Sequence, residues 1–355
     1  MKVIEKVNNP VSSVAMSTSP RVGIAGYGLA GRVFHAQLLK GCGFEVVGIH
    51  TTNPERVAQA QTDFPMATVV SSYSQLLTLG LDLVVIASGN IVHAEQAIAA
   101  MMAGIPVVVD KPMGLNLLQT REIFQVSEST GAAAAVFFNR KWDSDALTIK
   151  KILAEGTLGK VFRLDSRFER YRPDVNAQSW REQLSPQEGG GNLLDLQTHL
   201  VSLALDWFGA ATVGYSAVRS IRASVDDDVV VVLNHDSGVD SYLSGSAIVG
   251  APGPRIRLMG DAGTLVIDEL DPQEGLLRAG RYPLDGRWAQ ETRSAAFLHR
   301  GGEVTEYPAE SGNYPHFYLA VKSALIEGTP WPTSKQEALA VAAIIDQARE
   351  ISVRK

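Results

Sequence analysis

The sequence predicts an α/β fold in two parts: a doubly wound, mainly parallel sheet, then an α/β unit on a largely antiparallel, open-faced sheet. Three observations predict it. From Arg21 to about Phe138, short β-rich runs alternate with longer amphipathic stretches, the pattern of repeated βαβ units. A glycine-rich turn follows the first of these runs. After Asn139, successive β-like runs are separated by turn residues rather than helices, which favours antiparallel pairing. A chain of 355 residues also exceeds what one hydrophobic core usually fills. The expected organisation is a flexible tail over 1–19, a first domain over 20–139 and a second over 140–355 that ends in two closing helices.

In chain order, the first strands read as Val22 to Ala25, Glu45 to His50, Ala67 to Val70, Leu83 to Ala87, Val107 to Val109 and Ala133 to Phe138. Asn53 before Pro54, and Asn116, offer side-chain oxygens where helices should start. The Ala- and Met-rich stretch Ala94 to Ala103 stops before Gly104. In the second part a helix from Ser144 to Glu155 ends at Gly156, and a strand follows over Val161 to Tyr171. Residues 174 to 191 are polar and glycine-rich, and an apolar helix runs from Leu193 to Phe208. Further strands are expected over 212–221, 228–234, 240–248, 255–259 and 264–268. Residues 271 to 312 read as loop-rich, and helices over 314–327 and 335–350 close the chain.

Composition narrows the function. Apolar residues make up 45% and charged residues 20%, as in ordinary globular proteins. No run approaches the roughly 18 apolar residues of a membrane span. A net charge of -6 gives no electrostatic footprint for nucleic acid or an anionic membrane, so a small-molecule partner is expected. Cys42 is the only cysteine, which excludes an intrachain disulfide and a cysteine-based metal site. No metal is called for, and a reducing, cytoplasmic compartment is expected. The first nineteen residues lack the continuous apolar core of a signal peptide, and Met16 offers an alternative start.

The glycine turn is Gly26-Tyr27-Gly28-Leu29-Ala30-Gly31, with a strand before it and a helix after it. Its first glycine permits a tight turn, its second lets backbone approach a pyrophosphate, and its third lets helix pack on strand. The helix start offers free N–H groups to phosphate. This context points to a dinucleotide-binding Rossmann domain. About twenty residues further on, where an acid would bond the ribose 2'-hydroxyl, stand His50, Thr51, Thr52 and Asn53. With no carboxylate there, and with Thr51, Thr52 and Arg56 able to bond a 2'-phosphate, the reading is NADP or NAD with a lean to NADP.

Lys111, in Asp110-Lys111-Pro112, stands at the carboxyl end of a buried strand, where open α/β sheets bind ligands. Past a triple glycine, Asp195 and His199 lie at i and i+4 on one face of an apolar helix. Such a pair is more often a structural hydrogen bond, but the glycines and the upstream lysine make a proton-handling site the sharper reading.

These stretches, GYGLAG, VVIASGNIVHAEQAIAAMMAGIPVVVDKP, FNRKWDSD, GGNLLDLQTH and GNYPHFY, together resemble the Gfo/Idh/MocA family of nicotinamide-dependent sugar and polyol dehydrogenases, over nearly everything after Pro20. FNRKWDSDALTIKKILAEGTLG is most similar to the scyllo-inositol dehydrogenase branch. The resemblance implies that Lys111 is the lysine of the (E/D)KP motif, with Asp195 and His199 as catalytic acid and histidine. It places Ser88, Asn90 and His93 against the cofactor, Asn90 near the nicotinamide ribose, and Arg140 on the substrate. It also implies a homodimer or homotetramer. Gly89 stands where the family often has proline, Asp110 replaces the commoner glutamate, and Asn139 varies among members.

Oxidising a secondary alcohol requires hydride transfer and removal of the hydroxyl proton, best done by a group titrating near neutrality, as histidine does. The expected roles are His199 as general base, Asp195 holding substrate or the imidazole, and Lys111 donating to the reacting oxygen; a lysine proton relay is a close variant. Asn139, Arg140, Arg170 and Tyr314 are the substrate candidates, with Asp143, Arg172 and Trp180 behind them. Against this, the arginines of SRFERYRP fit a solvated strand face, Trp142 and Trp180 fit a core, and His93 and His316 fit satisfied packing histidines. A cofactor-binding sensor and a glycosidase-type relative are the alternative functions on the same fold.

Overall fold

The structure, a computed structural model, describes residues 19–352 apart from 223, 224, 282, 284 and 286. The tail expected at 1–19 and the start at Met16 therefore lie, up to Thr18, outside the described residues. In the first sheet, β1 (Arg21–Ala25), β2 (Glu45–His50), β3 (Thr68–Val70), β4 (Leu83–Ile86), β5 (Val107–Asp110) and β6 (Ala134–Phe137) pair in parallel in the order β3-β2-β1-β4-β5-β6. That order reverses between β1 and β4, and ligands bind beyond the carboxyl ends of strands at such a reversal. Val107, Val108 and Val109 are fully buried, and because strand side chains alternate, Val108 joins one core layer while its neighbours join the other. Asn53 and Asn116 cap their helices, accepting from the backbone N–H groups of Arg56 at 3.1 Å and Gln119 at 2.9 Å.

In the second sheet, β7 (Val161–Glu169), β8 (Ala211–Arg219), β9 (Asp228–His235), β10 (Asp240–Ser246), β11 (Ile256–Gly260), β12 (Gly263–Ile267), β13 (Phe297–Arg300) and β14 (Glu303–Glu306) lie in the order β14-β13-β12-β11-β7-β10-β9-β8. All its pairs are antiparallel except β7 with β10, which are parallel. Val229, Val231 and Leu233 are fully buried, whereas Phe162, Tyr215 and Tyr242 are exposed.

The segment read as loop-rich from 271 to 312 holds two short helices, Gln273–Arg278 and Trp288–Glu291, and the hairpin β13–β14 at the sheet edge. Every residue of β14 is exposed, so no apolar alternation marks it; the Gly301-Gly302 turn was its only signal. The closing helices also pack differently from their sequence order. Phe317, Tyr318 and Val321 of helix Pro315–Glu327 join Val22, Ile24 and Leu38 against the first sheet. Helix Lys335–Ile351 spans both parts, packing on β8, on helix Thr198–Phe208 and on helix Leu117–Thr130.

Candidate active site

The glycine turn has the geometry of a phosphate cradle. Gly26 has φ 91°, and a Cβ there would lie 2.6 Å from the carbonyl oxygen of Ala87. At Gly31 a Cβ would lie 2.0 Å from the carbonyl oxygen of Gly26, so helix and strand approach as only glycine permits. Gly28 is different: the nearest atoms to a Cβ there belong to the Arg56 guanidinium, 3.6 Å away. The backbone at Gly28 is thus open on the side where a pyrophosphate would approach, with an exposed arginine above it. The residues present fit a nicotinamide dinucleotide.

The side chains around the turn sort into two groups. Leu29 and Ala30 line a cavity of about 790 Å³, and the backbone after Ala30 enters a helix through a π-helical turn, Ala30–His35. Tyr27 is buried with its hydroxyl donating to Asp63 at 2.9 Å, so only its backbone faces the cradle. Thr51 is buried at the end of β2, while Thr52 is exposed. The Ser88 hydroxyl donates to Gln96.

His93 corrects a sequence expectation. It is fully buried, and its ring nitrogens meet the carbonyl oxygens of Pro112 at 2.8 Å and Ser88 at 3.2 Å. With both nitrogens committed, it fastens the loops after β4 and β5 together and leaves no ring nitrogen free for a cofactor. Asn90 is also buried, its amide donating to the Gly189 carbonyl at 3.0 Å, which ties the first domain to the triple glycine. That triple glycine is a close fit rather than a flexible link: a Cβ on Gly190 would lie 1.8 Å from the Leu184 carbonyl oxygen.

Lys111, Asp195 and His199 all line the same cavity as Leu29 and Ala30 of the turn. The Lys111 ammonium donates to the Asp195 carboxylate at 2.6 Å and to its backbone carbonyl at 2.9 Å. Arg181 reaches the same carboxylate oxygen at 3.2 Å. Burial alone would raise the Asp195 carboxyl, but Lys111 and Arg181 outweigh it and hold the group well below the usual carboxylate range. Asp195 sits in a π-helical turn, Leu193–Gln197, that leads into the α-helix carrying His199.

His199 is buried, and its Nδ1 has no hydrogen-bond partner. Asp195 therefore grips Lys111 and not the imidazole, which corrects one of the two roles expected for it. Burial, reinforced by the charges of Lys111 and Arg140, holds the His199 ring well below its ordinary range, so the neutral form prevails at neutral pH.

Of the substrate candidates, Asn139, Arg140 and Arg170 line the cavity. Arg140 donates to Asp143 at 3.2 Å, Glu274 at 3.1 Å and the Tyr314 hydroxyl at 3.4 Å. Tyr314 is fully buried and absent from the cavity wall, so it holds Arg140 rather than touching a substrate. Arg255, which the sequence reading missed, lies 4.0 Å above the Phe168 ring, with Arg140 at 5.3 Å from the same ring. Arg181 and Arg255 were missed for one reason: each reaches the cavity from an element whose place in space no local pattern encodes.

Residues 20–138 match the oxidoreductase family with an NAD-binding Rossmann fold, and residues 146–266 match the Gfo/Idh/MocA C-terminal domain. The uncharacterized oxidoreductase YdgJ of Escherichia coli is 36% identical, covering 93% of this chain and 96% of its own. The scyllo-inositol 2-dehydrogenase (NADP(+)) IolW of Bacillus subtilis is 33% identical, with 94% of each chain covered. Among solved structures, yvaA of Bacillus subtilis superposes with a TM-score of 0.85 at 30% identity, over 94% of this chain and 96% of that one. Among the described residues, no helix is long and apolar enough to cross a membrane.

Proposed function

The chain belongs to the Gfo/Idh/MocA family of NAD(P)-binding oxidoreductases, and from that premise we propose that it transfers a hydride between nicotinamide and a secondary alcohol of a sugar or polyol. One observation carries the reading: Leu29 and Ala30 of the glycine turn, the Lys111–Asp195 pair and His199, whose Nδ1 has no hydrogen-bond partner among the described residues, line one cavity. Gly26, Gly28 and Gly31 would hold the dinucleotide, with Arg56 over its adenosine ribose. The bound nicotinamide supplies the hydride acceptor. Asp195 fixes Lys111, whose ammonium donates to the substrate oxygen and stabilises the developing alkoxide. His199 takes the hydroxyl proton at a free ring nitrogen, and its buried, neutral state keeps it ready to do so.

Following reduced-cofactor absorbance while a panel of inositols and sugars is offered tests this reading. Reduction with at least one member is expected; tight cofactor binding with no reduction by any member would remove it. Such a trace also separates net oxidation from a glycosidase that recycles its nicotinamide. A cytoplasmic homo-oligomer completes the proposal, with a second copy covering exposed Phe162, Tyr215 and Tyr242; a monomer by light scattering would refute that assembly.

The cofactor we propose is NADP. Arg56 has its guanidinium over Gly28, and none of His50, Thr51, Thr52 and Asn53 at the end of β2 is a carboxylate that would repel a 2'-phosphate. The relative IolW carries NADP(+) in its name. Charge-assisted bonds contribute about 1.5–3 kcal/mol, so Arg56→Ala should lower kcat/KM with NADP by roughly 10- to 100-fold and leave that with NAD within about twofold. Equal losses with both cofactors would refute the role.

The pH dependence follows from His199. Its active form is the neutral one, and protonation is pushed down, so kcat/KM for oxidation should hold steady as pH falls through about 6.5, the ordinary histidine value, and decline only below it. An acid limb above that value would contradict the assignment.

A further inference from the structure

The cavity wall carries more arginine than a neutral polyol needs. Arg140, Arg167, Arg181, Arg222, Arg255 and Arg278 each have a carboxylate within 4 Å. Arg170 and Arg172 line the same wall without such a partner among the described residues. The carboxylates whose charge reaches Arg170 most strongly are Asp195, Glu274 and Glu182. Each is committed elsewhere: Asp195 to Lys111 and Arg181, Glu274 to Arg140 and Arg278, Glu182 to Arg222. Burial and the like charge of Arg172 both push the Arg170 guanidinium down from its ordinary range, and the more distant charges of Asp195, Glu274 and Glu182 offset this only in part.

The two arginines are also held in place. Arg170 and Arg172 are i and i+2 on an extended segment continuing β7, so their side chains leave the same face. The N–H groups of Arg170 and Arg172 donate to the carbonyls of Ser246 at 3.0 Å and Ala247 at 2.6 Å, and the Arg170 carbonyl accepts from Val249 at 3.0 Å. Guanidinium groups only donate hydrogen bonds, and their planar fork matches a carboxylate or phosphate edge. A hydroxyl, which both donates and accepts, would leave their charge unbalanced.

We propose that the substrate is a sugar or polyol bearing an oxyanion, a carboxylate or a phosphate, which Arg170 and Arg172 bind while the carbinol lies at Lys111. This rests on the hydride-transfer reading above and narrows its substrate class. The neutral polyol then becomes the poorer substrate, because it leaves two cations of the wall unpaired.

Matched pairs test the proposal in the full-length protein with NADP: glucose against gluconate, glucuronate and glucose 6-phosphate, and inositol against inositol monophosphate. The anionic member should be preferred in kcat/KM by at least about 30-fold, the scale of one or two charge-assisted bonds. The carboxylate and phosphate arms identify which oxyanion is used. Arg170→Gln with Arg172→Gln should lower kcat/KM on the anionic member at least ten times more than on its neutral counterpart, about one charge-assisted bond. Cofactor affinity measured alongside checks that the variant is folded, and Arg170→Lys should restore part of the preference. Equal or better turnover of the neutral members, or an equal loss on both, would overturn the anion inference alone. No turnover with any member would overturn the hydride-transfer reading and this inference with it.

Discussion

Lys111→Ala is expected to lower kcat by about 10³-fold while leaving NADP affinity within a few-fold, as removal of an electrostatic donor at a reacting oxygen does. Lys111 lies at the end of β5, and its ammonium is spoken for on one side only, by the carboxylate and carbonyl of Asp195. Its charge is thus fixed in direction before any substrate arrives. The substitution also leaves Asp195 with Arg181 as its one ion-pair partner among the described residues, so some loss of stability should accompany the loss of rate. Lys111→Arg separates the two effects: it keeps the charge and its pairing but displaces the donor, so stability should recover more than turnover. Unchanged turnover in Lys111→Ala would sink the assigned role.

Gly31→Ala should raise the apparent Kd for NADP by at least about 100-fold, because the added methyl cannot be placed without moving the turn. A Cβ there stands 2.0 Å from the Gly26 carbonyl oxygen, and neither that backbone nor the Ala87 methyl at 3.6 Å is the far end of a flexible side chain that could yield. Overpacking of this kind costs typically 1–3 kcal/mol in stability, and the same displacement pulls the N–H groups of the helix start away from the phosphates. Gly28→Ala is the contrasting case. Its Cβ would touch only the Arg56 guanidinium at 3.6 Å, so the fold should tolerate it and the cofactor should feel it. Isothermal titration of both variants reads this directly; an unaltered Kd in Gly31→Ala would show that the cradle binds elsewhere.

The first sheet was legible in the sequence almost residue by residue, because parallel strands buried on both faces read as unbroken apolar runs and their turns carry glycine. The same signal placed Lys111, since the end of such a run is a defined position. Asp195 and His199 were legible as a helical pair, but the partner of Asp195 was not: Lys111 lies 84 residues away, and a lone sequence carries no sign of that contact. At His93 the family resemblance and the local reading diverged, and the buried brace between two loops fits the local reading of a satisfied packing histidine. The exposed edge strand β14 escaped because edge strands shed the apolar alternation by which strands are recognised.

Deuterium transfer reads the central claim most directly. An oxidisable sugar or polyol from the panel, deuterated at its carbinol carbon, is incubated with the protein and NADP, and the reduced cofactor is recovered. The account predicts the deuterium on the nicotinamide ring, with the label and the rate both lost in Lys111→Ala. Reduced cofactor without the label, or substrate consumed with the deuterium still on its carbon, would contradict it.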